Sequence, residues 1–263
     1  MRRRLARIAA TAAIPLLLAG FSTSAQAHDK PRCQSTGTDE AVESPIEIDR
    51  SAACPGNRST LAIHYPHSVD GTVLFQDKPP LGGQPSEHDD VRFVIASQDP
   101  QPYVTFNGER YNLSNVHFHG HAEHKFAGQP FAPLEAHLVH ERATLPKAYV
   151  VFSVLIDSAN LSKPSELDRL IASPPAPGAS KTLHDIDLKA LLPADHSTYR
   201  YTGSLTTPDE IQNYFKPVNW VVFDHRVKAG QKNVQAYRAL WDADGNRREL
   251  QVNLPAPRVY AYR

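Results

Sequence analysis

The sequence predicts a mainly β, α+β fold: a central, mostly antiparallel twisted sheet carrying short peripheral helices. Three observations point there. Short runs rich in β-branched and aromatic residues outnumber helical patterns. They follow one another at hairpin-like spacing without regular strand–helix alternation, which argues against a doubly wound sheet. The 22 prolines are spread along the chain, and no stretch is rich enough in Gly or Ser to divide it. At 263 residues, 41% hydrophobic and 21% charged, the chain fits one large domain with a sizeable core.

In chain order, the first 27 residues stand apart from that domain. Arg2, Arg3, Arg4 and Arg7 precede an apolar run from Ile8 to Gly20, and Ala25-Gln26-Ala27 offers a small-x-small cleavage site. This reads as an export signal cleaved near Ala27, leaving residues 28–263 as a single domain, secreted or periplasmic. The run is too short for a confident bilayer span and no later one is longer, so no transmembrane anchor is expected. Removing four arginines and no acids leaves 24 basic against 28 acidic residues, a formal charge of −4, which disfavours a nucleic-acid partner. The only cysteines are Cys33 and Cys54. Oxidising surroundings favour their closure into a disulfide worth roughly 3 kcal/mol in the chain-entropy model. Two unpaired buried thiols are the alternative.

Strand-like runs occupy Leu61–Tyr65, Val91–Ala96, Tyr103–Phe106, Val116–His119, Ala136–His140, Tyr149–Ile156 and Trp220–Phe223. Residues 76–90, QDKPPLGGQPSEHDD, read as a surface loop. Helices are expected at Pro164–Ala172, behind a Ser-Lys-Pro-Ser cap-like segment, at Ile186–Leu192 and at Asn233–Leu240.

The stretch NVHFHGHAEH, residues 115–124, packs four histidines and a glutamate into ten positions. Side chains alternate along a strand, so His117 and His119 project one way and Phe118 the other. In LEAHLVHE the same period puts Glu135, His137 and Val139 on one face. If the two strands are neighbours, His137 completes a three-histidine set that leaves the fourth tetrahedral position of a zinc ion open. Either element alone is more often an unliganded pair; the combination favours a metal site. Glu135 is placed to accept the second ring proton of His137.

These residues resemble the α-class carbonic anhydrases, whose hallmark is H-F-H, a short link to Ser/Ala-Glu-His, then E-x-H-L-V-H. Here they read His117-Phe118-His119, Ala122-Glu123-His124 and Glu135-Ala136-His137-Leu138-Val139-His140. YTGSLTTP at 201–208 resembles the family's Thr-Thr segment. NRRELQ at 246–251 resembles Asn-x-Arg-Pro-x-Gln with Glu249 for proline, and ESPIEI at 43–48 resembles Gln-Ser-Pro-Ile-x-Ile with Glu43 for glutamine. The resemblance runs from about residue 43 to the end.

It implies Zn2+ on His117, His119 and His137, and CO2 and bicarbonate as substrates. Thr206 would orient the attacking hydroxide and pass its own hydrogen to Glu123, and Thr207 would bind product. Val139, Leu205 and Trp220, with Val151, would wall an apolar CO2 pocket. Asn115 and Asn246 would hold the rings of His117 and His119. His88, 29 residues before His117, falls at about the family spacing for the proton shuttle, in altered surroundings. His124 looks like the family's structural histidine. A noncatalytic carbonic-anhydrase-like binding protein is the competing function, and zinc-dependent esterase chemistry a side activity.

Overall fold

The computed structural model describes residues 37–56, 60–76, 90–98, 100–207, 216–241 and 245–263. The chain opens with β1 (Glu47–Ile48), β2 (Cys54–Pro55), β3 (Leu61–His64), β4 (Val69–Gln76), β5 (Asp90–Ile95) and β6 (Tyr103–Phe106). The long central strands follow: β7 (Glu109–His119), the short β8 (Lys125–Phe126), β9 (Leu134–Arg142) and β10 (Tyr149–Ala159). Helix α1 (Glu166–Ile171) leads to β11 (Ser180–Ile186), β12 (Thr198–Gly203), β13 (Val218–Phe223) and β14 (Val227–Gly230). Helix α2 (Gln231–Arg238) and β15 (Tyr260–Tyr262) end the chain.

Thirteen strands share one sheet whose main path runs β11-β4-β5-β7-β9-β10-β13-β12-β15-β2, with β6 and β3 extending from β7 and β14 pairing with β10. Most pairs are antiparallel; β10 lies parallel to β13 and β14, and β15 to β2. The mainly β, mostly antiparallel architecture expected from the sequence is therefore the one observed. No helix among the described residues is long and apolar enough to cross a membrane.

The period of two divides β9 cleanly. Leu134, Ala136 and Leu138 enter the larger core with Phe118, Val154 and Phe152, and α1 and α2 close that face with Leu167, Leu170, Ile171, Val234 and Tyr237. Burying each large side chain contributes about 1.5–3 kcal/mol before entropy is counted. Glu135, His137 and Val139 project to the opposite face, where a second cluster holds Val151, Leu155, Tyr201 and Trp220. Because β9 and β10 are central, both of their faces are buried, and the polar groups on the second face must be satisfied from within.

Several expectations shift. Helix α1 is shorter than Pro164–Ala172: its N-cap is Ser165, in a capping box with Asp168. The helix expected over Ile186–Leu192 is not one. Ile186 ends β11, paired with Val69, and Asp187 caps only a 3-10 turn over Leu188–Leu191. Pairing with β4 thus overrides local helical preference. The sequence reading passed over β4, β11 and β12. In β4, Gly71 interrupts the apolar run, yet a Cβ there would stand 2.4 Å from the Phe93 ring, so the glycine permits close strand packing. Of the loop expected at 76–90, Gln76 and Asp90 are strand residues, and 77–89 lie outside the described residues.

Candidate metal centre

Strand register assembles the site. His117 pairs directly with His137, which pairs with Ser153 in β10, and His119 pairs with Glu135. Directly opposed residues share a face, so three histidines of two adjacent strands converge. Their ring centroids lie 5.1 Å (His117–His119), 5.2 Å (His117–His137) and 4.6 Å (His119–His137) apart. One nitrogen from each lies within 4.8 Å of the others, and all three residues are buried.

Each ring gives its other nitrogen to an acceptor. His117 Nδ1 donates to Asn115 Oδ1 at 2.9 Å, His119 Nδ1 to the Asn246 carbonyl at 2.9 Å, and His137 Nε2 to Glu135 Oε1 at 2.7 Å. A neutral imidazole that donates from one nitrogen keeps a lone pair on the other. His117 Nε2, His119 Nε2 and His137 Nδ1 therefore carry lone pairs, and three such groups held together in a buried site suit a cation. The donor set fits a metal ion.

Glu135 anchors the arrangement. Its Oε2 accepts from the backbone N–H groups of Glu123 and His124, both at 2.7 Å. Its Oε1 accepts from His124 Nδ1 at 2.8 Å, His137 Nε2 at 2.7 Å and Ser153 Oγ at 2.6 Å. Burial raises the Glu135 carboxyl, but its electrostatic contacts and hydrogen bonds with His124 and His137 outweigh it and hold the group well below the usual carboxylate range. His124, Glu135 and His137 also lie close enough to hold an ion; both rings donate to the carboxylate, which accounts for that cluster without one. His124 Nε2 accepts from the Tyr201 hydroxyl at 2.7 Å, so both of its ring nitrogens are engaged within the protein.

Glu123 is fully buried, and that burial raises its carboxyl above the ordinary value. His137, the Arg248 N–H at 2.8 Å and the Thr206 hydroxyl act in the other direction. Thr206 thus lies close enough to act on the Glu123 carboxyl, the partnership that the family resemblance implies. Val139, Val151, Leu205 and Trp220 gather in one apolar cluster. Register aligns Asn115, Val139, Val151, Trp220 and Tyr201 across five strands. The Trp220 indole stands 4.9 Å from the His137 ring and donates to the Ser204 carbonyl at 3.0 Å. Thr207 adjoins Thr206 and is partly buried. His88 and Cys33 lie outside the described residues. Cys54 is 2% exposed, and no free cysteine occurs among the described residues.

Ser153 and Ser114 are among the contributors that escaped the sequence reading, as is the Arg248 N–H. Ser153 is a lone hydroxyl in the apolar run VVFSVLI, a signal that could have found it. Ser114 accepts from Asn115 Nδ2 at 2.8 Å, although neighbouring strand residues normally face opposite ways. A register shift between Leu113 and Asn115 brings them together. The contact turns the Asn115 oxygen toward His117.

The comparisons agree with this geometry. The family model for eukaryotic-type carbonic anhydrase matches residues 27–258. A carbonic anhydrase of Klebsiella pneumoniae is 31% identical over 213 residues, covering 80% of this chain and 77% of its own. Alpha carbonic anhydrase 7 of Arabidopsis thaliana is 33% identical over 160 residues, 60% of this chain and 56% of its own. Among solved structures, α-carbonic anhydrase of Thermovibrio ammonificans, in complex with the inhibitor sulfanilamide, superposes with a TM-score of 0.67 at 27% identity, covering 83% of this chain and 86% of that one. The Photobacterium profundum α-carbonic anhydrase gives 0.67 at 26%, covering 85% and 90%. With the matched region spanning both histidine strands, the Thr-Thr segment and Asn246, the chain belongs to the eukaryotic-type, or α, carbonic anhydrase family, lyases that hydrate CO2.

Proposed function

We propose that this chain is an exported zinc enzyme that converts CO2 and water reversibly to bicarbonate and a proton, with His117, His119 and His137 as the zinc ligands. The observation that carries this is the convergence of three imidazole lone pairs, each fixed by an acceptor on the far nitrogen. His117, His119 and His137 would hold the ion as three neutral ligands, leaving room for water as a fourth. When bound, the zinc supplies a water whose pKa falls to about 7.

The chain's own residues do the rest. Thr206, with its hydrogen given to Glu123, has only lone pairs to offer and accepts the hydrogen of the attacking oxygen, which fixes its orientation. Arg248 N–H holds Glu123 from the other side. Val139, Val151, Leu205 and Trp220 give uncharged CO2 an apolar wall, and the Thr207 hydroxyl hydrogen-bonds the product. Asn115, Glu135 and Asn246 keep the three rings in the tautomer that binds metal. His88 is the proposed proton relay. Residues 1–27 form the export signal, 28–263 the mature single domain, and Cys33–Cys54 its disulfide. Retention of the whole triad together with Glu123 and Thr206 favours an enzyme over a noncatalytic binding protein.

Two variants test the reading. His137→Ala removes a ligand and lowers both zinc content and stopped-flow CO2 hydration. Thr206→Ala keeps one zinc per chain and loses hydration rate on the order of a hundredfold, since it misplaces the nucleophile without touching the ligands. Thr206→Ala at wild-type rate, or a zinc-loaded wild type no faster than buffer, refutes the mechanism.

A further inference from the structure

We propose that Arg92 is an anion-binding residue of this site, which receives bicarbonate beside the histidine triad and sets the site's affinity for small anions; the inference rests on the proposed function and extends it. Register supplies the placement. Leu74, Arg92, His117, His137 and Ser153 form one row across β4, β5, β7, β9 and β10. Opposed side chains share a face, so Arg92 flanks His117 on the side away from His137. Val139 stands two residues along β9 from His137, and Val151 and Trp220 follow it on β10 and β13 in the neighbouring row. The triad thus stands between an apolar wall and a fixed cation.

Asp90 holds that cation in place. Arg92 Nε donates to Asp90 Oδ1 at 2.7 Å and Nη2 to Oδ2 at 2.5 Å, a two-pronged grip that fixes the guanidinium plane. The Asp90 side chain is 1% exposed and that of Arg92 21%, so the acid sits underneath and the base reaches open space. Two of the five guanidinium N–H groups serve Asp90. The other three have no acceptor among the described residues. CO2, uncharged and a poor hydrogen-bond acceptor, gains little from them. Bicarbonate, with a negative charge and oxygen acceptors, gains directly. Asp90 offsets part of the Arg92 charge, which keeps the product from being held too tightly.

The test reads binding rather than turnover. Zinc-loaded wild-type, Arg92→Gln, Arg92→Lys and Asp90→Asn proteins, with zinc content determined for each, are titrated with sodium thiocyanate by isothermal titration calorimetry. Arg92→Gln weakens the anion about tenfold, equivalent to about 1.4 kcal/mol, and Arg92→Lys, which keeps the charge without the fork, falls between it and wild type. Asp90→Asn unmasks the guanidinium charge and tightens binding severalfold. A merely structural pair weakens binding in both Arg92→Gln and Asp90→Asn, because each breaks the same grip, and that result overturns the inference. So does wild-type affinity in Arg92→Gln carrying one zinc per chain. If wild type binds no zinc, the proposed function fails and takes this inference with it; if every protein binds zinc and hydrates CO2 with one common anion affinity, this inference alone fails.

Discussion

Replacing Glu135 by glutamine changes almost no volume and tests the anchor of the site. The carboxylate accepts five donors, two backbone N–H groups, two imidazole nitrogens and one hydroxyl, at 2.6–2.8 Å. Glutamine has one acceptor oxygen, and its NH2 group must face donors in either orientation. With the NH2 toward Glu123 and His124, two fixed backbone N–H groups lose their acceptor. With the NH2 toward the rings, His137 must shift its proton to Nδ1, which removes the lone pair that faces the triad. Two buried donors left unsatisfied at about 1.5 kcal/mol each cost about 3 kcal/mol. In a protein of this size that lowers the melting temperature by about 6–12 °C. Calorimetric melting of the metal-free protein reads the first effect, and competition with a chromophoric zinc chelator the second, expected as a 10- to 100-fold loss of affinity. Ser153→Ala, which removes a single donor, costs about 1 kcal/mol and leaves zinc affinity near wild type. Glu135→Gln melting within 2 °C of wild type with equal zinc affinity refutes the assignment of Glu135 as anchor.

Three further outcomes follow from the same geometry. Burial lowers the His140 imidazole from its usual 6.5 to about 3. Between those values the unfolded chain binds a proton that the folded chain refuses, so stability is full above pH 6.5 and falls as pH drops; by pH 5 the loss is about 2 kcal/mol. Denaturant unfolding at pH 7.5 and 5 should show that loss in wild type and its absence in His140→Phe, and equal pH slopes contradict it. Ser114→Ala frees the Asn115 amide to turn its nitrogen toward His117 and weakens zinc severalfold, whereas Ser114→Thr restores it; two variants with wild-type affinity remove Ser114 from the account. Peptide mapping of exported protein without reductant should give Cys33 and Cys54 in one linked pair, and two freely alkylated thiols rule the bridge out.

What the sequence made legible depended on local period. His117, His119, Glu135 and His137 declare their faces by strict alternation, and the larger core reads from the same rule applied to Leu134, Ala136 and Leu138. What it concealed depended on register between distant segments. Arg92 lies 25 positions before His117 in the chain, and only the pairing of β5 with β7 sets them side by side. Asn246 reaches His119 across 127 positions through a backbone carbonyl, which no side-chain pattern announces; the family resemblance alone pointed to it. Ser114 joins the site through a bulge, and a bulge changes facing without any mark in the alternation of residues. The misread helix at Ile186–Leu192 is the same lesson in secondary structure: a tertiary partner, Val69, claimed Ile186 for a strand.

The central claim is that one zinc on His117, His119 and His137 turns this buried cluster into a CO2-hydrating centre. Metal-free mature protein titrated with zinc, with stopped-flow CO2 hydration read at each addition, tests it most directly. The account predicts a rate that climbs linearly and stops at one zinc per chain, with the His137→Ala protein flat across the same range. Zinc taken up at one per chain with no hydration above buffer would contradict it.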